Sequence, residues 1–436
     1  MSRPRVQPLP YVRDAGAWFE RLRSLPQPVW LDSGGSGIDI LAAAPVEFRR
    51  FAPGEAGAVA ATLRDWMGAG TAPPSGLPFA GGIIGYLGYE LGRAWQGLPP
   101  AHQHSLPPAA FGRYDWALVV DHRQCAAWLV GQGEATRTED AWEALCRRFA
   151  SPAAPADPAP GGAGEILGDS LPWPAYRDAF ARIHHYLREG DIYQVNLTRC
   201  LEARSSEPAW SLYRRLRALS PAPWGAFLDH GDFQLLSNSP EQFLSLHGRR
   251  VETRPIKGTR PRADDAEQDR RLRTALAASE KDRAENLMIV DLLRNDLGRV
   301  CAPGSIAVPE LFAVESFATV HHLVSTVTGE LAEGRDAVDL LQACFPGGSI
   351  TGAPKRRAMQ VIDELEPVSR EAYCGSLFRL GYDGALESSI AIRTLVREGE
   401  RLRYWAGGGI VADSSAEAEF READDKAAAF RRLLGA

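Results

Sequence analysis

With 436 residues, 45% hydrophobic and 24% charged, the chain can bury a large core and is too apolar to be intrinsically disordered. A net charge of −6 without a basic arm argues against nucleic acid as a partner. No run approaches the ~20 apolar residues of a membrane span. The opening MSRPRVQPLP lacks the apolar region of a secretory signal, and six cysteines lie scattered with no CxxC, so a cytoplasmic protein with reduced thiols is expected.

In chain order, Phe79–Glu90 (FAGGIIGYLGYE) spaces aromatics with glycines, which predicts a strand lying close to its neighbour. Ala117–Val120 and Ala126–Val130, separated by Asp121–Cys125, predict a hairpin. Ser151–Gly164 (SPAAPADPAPGGAG) cannot form a core. Residues 151–168 are therefore expected to link an N-terminal domain, 1–150, to a C-terminal domain, 169–436. Trp173–Glu189 has helical periodicity, with Pro174 near its start and Gly190 just beyond its end.

Ile192–Leu201 alternates, which predicts a strand with Tyr193, Val195 and Leu197 on one face and Gln194, Asn196 and Thr198 on the other. Further helices are expected from near Glu280 to Leu297, over Lys355–Leu365 and over Ala416–Leu434. Strands are expected at Gly375–Tyr382, Leu386–Val396 and Leu402–Gly407. The order has no strict strand–helix–strand rhythm, so the fold class is α+β with a largely antiparallel sheet.

Three constellations bear chemistry. Ser239-Pro240-Glu241 and Pro255-Ile256-Lys257-Gly258-Thr259 fix a carboxyl and an amine in tight segments. A lysine is a nucleophile only when neutral, and a carboxylic acid can protonate a leaving hydroxyl. From spacing alone an ordinary salt bridge between a turn lysine and a surface glutamate is the better reading of that pair, because such pairs are common. Asp282 and Glu285, and likewise Glu419 and Glu422, stand three apart on predicted helices, so each pair shares a face. Such carboxylates suit Mg²⁺, or simply a solvated helix surface with Lys426 one turn beyond Glu422. Phe345–Lys355 (FPGGSITGAPK) leads into a helix and Ala406–Ile410 (AGGGI) exposes backbone, both suited to anions or to tight turns. Arg393, in a strand-like run, can clamp a carboxylate with two hydrogen bonds. No GxGxxG, GxSxG or HExxH occurs, and no cysteine has the glycine setting of a glutaminase nucleophile.

These segments together resemble the chorismate-utilising enzymes, a family that includes anthranilate, aminodeoxychorismate, isochorismate and salicylate synthases. The resemblance is densest from Asp169 onward, through DIYQVNLTR, SNSPEQF, RPIKGTRPR, KDRAENLMIVDLLRNDLGRV, HHLVSTVTG, CFPGGSITGAPK, YCGSLFRLGYDG, IAIRTLV, AGGGIVADS and EFREADDKA, in the family's order. GGIIGYLGYE and FGRYDWALVVDH extend it weakly into the N-terminal part. It implies two packed antiparallel sheets with helices outside and the active site between them.

The resemblance also implies roles. Glu241 matches the acid that assists loss of the chorismate 4-hydroxyl, and His322 the active-site histidine. Gln194, Thr351, Tyr373, Arg393, Gly407, Gly408, Gly409 and Lys426 match substrate-holding positions. Asp282, Glu285, Glu419 and Glu422 match the acidic set around Mg²⁺, with Asp282 replacing what is glutamate in some members. Water-adding members carry a lysine where Gln194 stands, which implies ammonia as the nucleophile here. Anthranilate synthases typically carry alanine where Lys257 stands. The resemblance thus implies amination of chorismate to 4-amino-4-deoxychorismate, on the route to 4-aminobenzoate and folate, through a covalent Lys257 adduct. A separate glutamine amidotransferase subunit is implied as the ammonia source. Two rivals remain: an anthranilate-forming enzyme, and a non-catalytic relative that binds a small effector.

Overall fold

A computed structural model describes residues 4–68, 70–133, 136–137, 139–154, 164–317 and 320–435. It contains two large sheets, one of 12 strands and one of 10. Every strand pairing within them is antiparallel. The expected α+β class with two antiparallel sheets therefore holds.

Both sheets draw strands from either side of the Pro/Ala/Gly-rich stretch. Val29–Asp32 pairs with Trp224–Asp229, and Gly82–Leu87 pairs with Ser376–Gly381. The boundary expected at 151–168 is thus a division along the chain and not between sheets. Residues 155–163 of that stretch lie outside the described residues, and Glu165–Asp169 is a strand paired with Gln194–Arg204.

The apolar faces of the two sheets meet in one core. Tyr86, Phe111 and Phe378 from one sheet, and Leu235, Val396 and Trp405 from the other, belong to the same buried cluster. Each such side chain removed from water contributes roughly 1.5–3 kcal/mol. The expected hairpin forms as Trp116–Asp121 with Ala126–Gly131.

Three outer helices position the site. Glu280–Gly298 is capped by Ser279, whose hydroxyl accepts the Asp282 N–H. Ala416–Leu434 is capped by Ser415 and closed by Gly435 in the left-handed conformation. It packs on the strand Arg401–Ile410, where Phe430 stacks on Tyr404 with ring centroids 4.9 Å apart. Lys355–Leu365 buries Ala358, Val361 and Ile362 with Val195 and Leu197 of Gln194–Arg204. These match the expected helices closely because an amphipathic 3.6-residue period is a local property.

Two expectations fail for a tertiary reason. Leu386–Val396 is not one strand. Leu386–Ile390 belongs to the smaller sheet and Thr394–Glu398 to the larger, and the chain crosses between them with Arg393 at φ 50°. An apolar run buried at both ends cannot reveal that its ends lie in different sheets. The alternation at Ile192–Leu201 also does not sort residues into buried and exposed. Gln194, Asn196 and Thr198 are as buried as Val195 and Leu197, while Tyr193 is 63% exposed. The strand is covered on both faces, by the Lys355–Leu365 helix and by the floor of the site.

Candidate active site

A cavity of about 590 Å³ opens between the sheets. Its wall includes Glu241, Lys257, His322, Tyr373, Arg393, Gly407, Gly409, Lys426, Asp282, Glu285, Glu419 and Glu422. Residues from eight separated motifs thus converge on one chamber.

Glu241 follows the strand Phe233–Ser239, which delivers it to the cavity floor, and it is only 5% exposed. Burial pushes its carboxyl up to about 7, against the opposing pull of the Ser349 hydroxyl and of Lys257. A glutamic acid so tuned carries its proton in much of the population at neutral pH, as a general acid must. The Ser349 hydroxyl donates to Glu241 Oε1 at 2.7 Å, and the Ser349 carbonyl accepts from Lys257 Nζ at 3.5 Å. Ser349 sits in a short 3-10 turn, Gly348–Ile350, so one rigid turn holds both reactive groups.

His322 lies on the strand Val320–Glu330 and is almost fully buried. Burial, with the Arg393 charge second, lowers its pKa to about 4, so the ring is neutral. Its Nδ1 is 2.9 Å from the Thr259 hydroxyl, which orients the ring. Arg393 makes no hydrogen bond or ion pair through its guanidinium among the described residues. An unpaired guanidinium facing a cavity is a receptor for a carboxylate. Tyr373 stacks on Trp405 at a centroid distance of 6.1 Å and an interplanar angle of 10°, which fixes it against the wall.

Backbone close approach requires glycine at 407 of the strand Arg401–Ile410, while side-chain ends crowd 408 and 409. A Cβ on Gly407 would lie 2.2 Å from the Leu197 carbonyl oxygen. One on Gly408 would lie 2.9 Å from Glu419 Oε2, and one on Gly409 would lie 2.3 Å from Gln194 Nε2 and 3.3 Å from Lys257 Nζ. Gln194 therefore sits beside Lys257, fully buried, and neither its Oε1 nor its Nε2 has a hydrogen-bond partner. Two orphaned amide atoms at that position are suited to a small polar molecule.

Not every expected residue reaches the cavity surface. Thr351 is fully buried, and its hydroxyl donates to the Gly347 carbonyl at 2.9 Å. Its backbone carbonyl receives the Asn196 N–H at 2.8 Å, so it braces the floor. Gly408, beneath Glu419, and Gln194, fully buried against Gly409, likewise lie behind the wall rather than on it.

The acidic set comes from the first two turns of each of two helices. Burial raises the proton affinity of Glu285 and of Glu419; the charges of Glu419 and Glu422 add to it at Glu285, and that of Glu422 adds to it at Glu419. Burial acts the same way on Glu422, but Lys426, 2.7 Å away, outweighs it and holds that carboxyl below its ordinary value. Asp282 is tied to Arg260 at 2.9 Å. Lys281 bridges the two helices, 3.8 Å from Glu285 and 3.7 Å from Glu419. Among the described residues no group of three or more His, Cys, Asp or Glu converges closely enough to form a metal-ligand set. The donor chemistry is nonetheless all-oxygen and anionic, as Mg²⁺ prefers, and these carboxylates are separated by basic side chains rather than by protein walls.

Sequence reasoning missed Ser349, Thr259, Arg260 and Lys281. Each stands inside a motif already singled out, but its partner lies between 22 and 138 positions away, apart from the helical Lys281–Glu285 pair. No local pattern announces such pairings.

A cavity with a buried proton donor, a lysine, carboxylate receptors and an acidic helix pair, enclosed by two antiparallel sheets, matches one class of protein. The chain belongs to the chorismate binding enzymes, which it matches over residues 29–432. It is 47% identical over 356 residues to aminodeoxychorismate synthase component 1 of Salmonella typhimurium, covering 81% of this chain and 77% of that protein. It is also 42% identical over 365 residues to anthranilate synthase component 1 of Thermus thermophilus, covering 82% of this chain and 78% of that one. The crystal structure of anthranilate synthase component I from Streptococcus pneumoniae shares the fold at TM-score 0.80 and 29% identity, covering 92% of each chain. No helix among the described residues is long and apolar enough to cross a membrane.

Proposed function

We propose that the chain aminates chorismate at C4, giving 4-amino-4-deoxychorismate, with Mg²⁺ as cofactor and ammonia from a separate glutamine amidotransferase subunit. The observation that carries this reading is the Ser349 bridge, which holds a protonated Glu241 and the Lys257 amine on one wall of one cavity. Lys257 attacks C2 of the ring, both ring double bonds shift, to C1=C6 and C4=C5, and the C4–O bond breaks. Glu241 supplies the proton with which the hydroxyl leaves as water. Ammonia then adds at C4, both double bonds shift back, and the C2–N bond to Lys257 breaks. The Glu241 carboxylate takes the proton released by the new amine. Two easier displacements thereby replace one hard one.

Arg393 and Lys426 are placed to hold the substrate's two carboxylates, and Gln194 to hold ammonia beside Lys257. Glu285, Glu419 and Glu422, with Asp282 through water, would hold Mg²⁺, which supplies positive charge to orient and neutralise the ring carboxylate. His322, neutral and buried, hydrogen-bonds the substrate without adding charge.

Product analysis tests this reading. The purified chain is incubated with chorismate, ammonium and Mg²⁺, with and without an aminodeoxychorismate lyase, and the products are separated and weighed by mass spectrometry. An aminated product that keeps its pyruvate, and that the lyase converts to 4-aminobenzoate, is expected. Anthranilate as the product would assign the chain to the activity named for its 42%-identical relative.

A further inference from the structure

Lys281 stands between two carboxylates of the acidic set. It occupies the first turn of the helix Glu280–Gly298, and its side chain is 51% exposed. Its Nζ lies 3.8 Å from Glu285 Oε1 on its own helix and 3.7 Å from Glu419 Oε1 on the helix Ala416–Leu434. Those two carboxylates are only 15% and 3% exposed. Both contacts are longer than hydrogen bonds, so the ammonium is held between the carboxylates by charge and is not locked to either. The other two acids of the set have tighter basic partners, Arg260 on Asp282 at 2.9 Å and Lys426 on Glu422 at 2.7 Å.

From this we infer that Lys281 is a resident counter-ion that competes with the divalent cation for Glu285 and Glu419, and so sets the protein's metal affinity. The inference rests on the reading of the acidic set as a Mg²⁺ site. Without a counter-ion, two buried carboxylates from facing helices repel each other across the mouth of the cavity. Lys281 neutralises them at no cost in rigidity, because its long stem reaches in from solvent and can swing back to it. A divalent cation and this ammonium cannot occupy the same space between the carboxylates. Metal entry therefore requires Lys281 to leave, and its departure is a constant tax on affinity.

Calorimetric titration of Mg²⁺ into the full-length, EDTA-stripped chain, without and with chorismate, tests this with K281M, K281R and E419Q beside the unaltered protein. K281M is expected to bind Mg²⁺ at least about tenfold more tightly, since one opposing unit charge is gone, with K281R close to the unaltered protein. Thermal midpoints supply a second readout with opposite signs. K281M should melt below the unaltered protein in EDTA, and gain more than it from added Mg²⁺. Equal or weaker Mg²⁺ binding by K281M, with binding lost in E419Q, overturns the competition while leaving the metal site intact. No binding by any of the proteins overturns the metal site itself, and the competition with it.

Discussion

The Ser349 hydroxyl donates to Glu241 Oε1 at 2.7 Å, across 108 positions of sequence. That bond favours the ionised carboxyl, whereas burial, the larger effect, favours the neutral acid. The balance leaves Glu241 at about 7, where it can both give and accept a proton near neutrality. Removing the hydroxyl tips the balance toward the acid. In Ser349→Ala the descending, basic limb of the kcat/KM–pH profile should therefore move to higher pH, because a general acid is lost only once it ionises. A descending limb that stays in place would assign it to another group.

Lys257 is half-buried, and its amine makes only a 3.5 Å contact to the Ser349 carbonyl, so it contributes little to folding. Lys257→Ala should leave the circular dichroism spectrum and melting temperature near those of the unaltered chain. Amination should fall by on the order of 10³-fold or more, as when a nucleophile is removed from a cooperating set. Intact-mass analysis after mixing with chorismate in the absence of ammonia should show a covalent adduct that the variant lacks. Unchanged turnover in Lys257→Ala would remove the adduct from the mechanism.

Chelation should abolish amination, and Mg²⁺ should restore it. The basis is the all-oxygen acidic set, in which Glu285 and Glu419 gain proton affinity from burial and from neighbouring carboxylates, Glu422 among them. Because both are pushed toward the neutral form, competition from protons should weaken the Mg²⁺ requirement's half-saturation as pH falls, so that more Mg²⁺ is needed in acid than at neutrality. Full activity in EDTA would exclude a metal from the reaction.

Arg370 and Glu366 form a fully buried ion pair at 2.6 Å behind the cavity floor. Arg370 also donates to the Ile350 and Asn196 carbonyls, and Glu366 accepts the Thr198 N–H, so the pair pins the strand that carries Gln194. Arg370→Ala strands a buried carboxylate, which costs about 3–5 kcal/mol. Urea denaturation should show a loss of that size. A change below ~1 kcal/mol would mean that the Arg370–Glu366 pair does not pin the strand.

Much of the site was legible in the sequence because its parts are local. Glu241 and Lys257 stand in Pro- and Gly-marked segments, and the acidic pairs repeat at helical spacing, so each could be singled out before any fold was known. The four helices at Trp173, Glu280, Lys355 and Ala416 were readable for the same reason: an amphipathic period and its caps lie within one segment.

What the sequence alone determined is therefore the inventory: the reactive residue types, their segments, the α+β class and the family. The tertiary structure decided how they meet. Only the crossing between sheets at Arg393 turns an apparent strand residue into an unpaired guanidinium on the cavity wall. Only the pairing of Asn196 with Gly409, and of Thr198 with Gly407, buries the polar face of an alternating strand beneath the site. Burial sets the proton affinity of Glu241 and His322, and partners far away in the chain, Ser349 and Thr259, set their geometry. Desolvation and long-range contact depend on how the whole chain packs, and no local pattern encodes them.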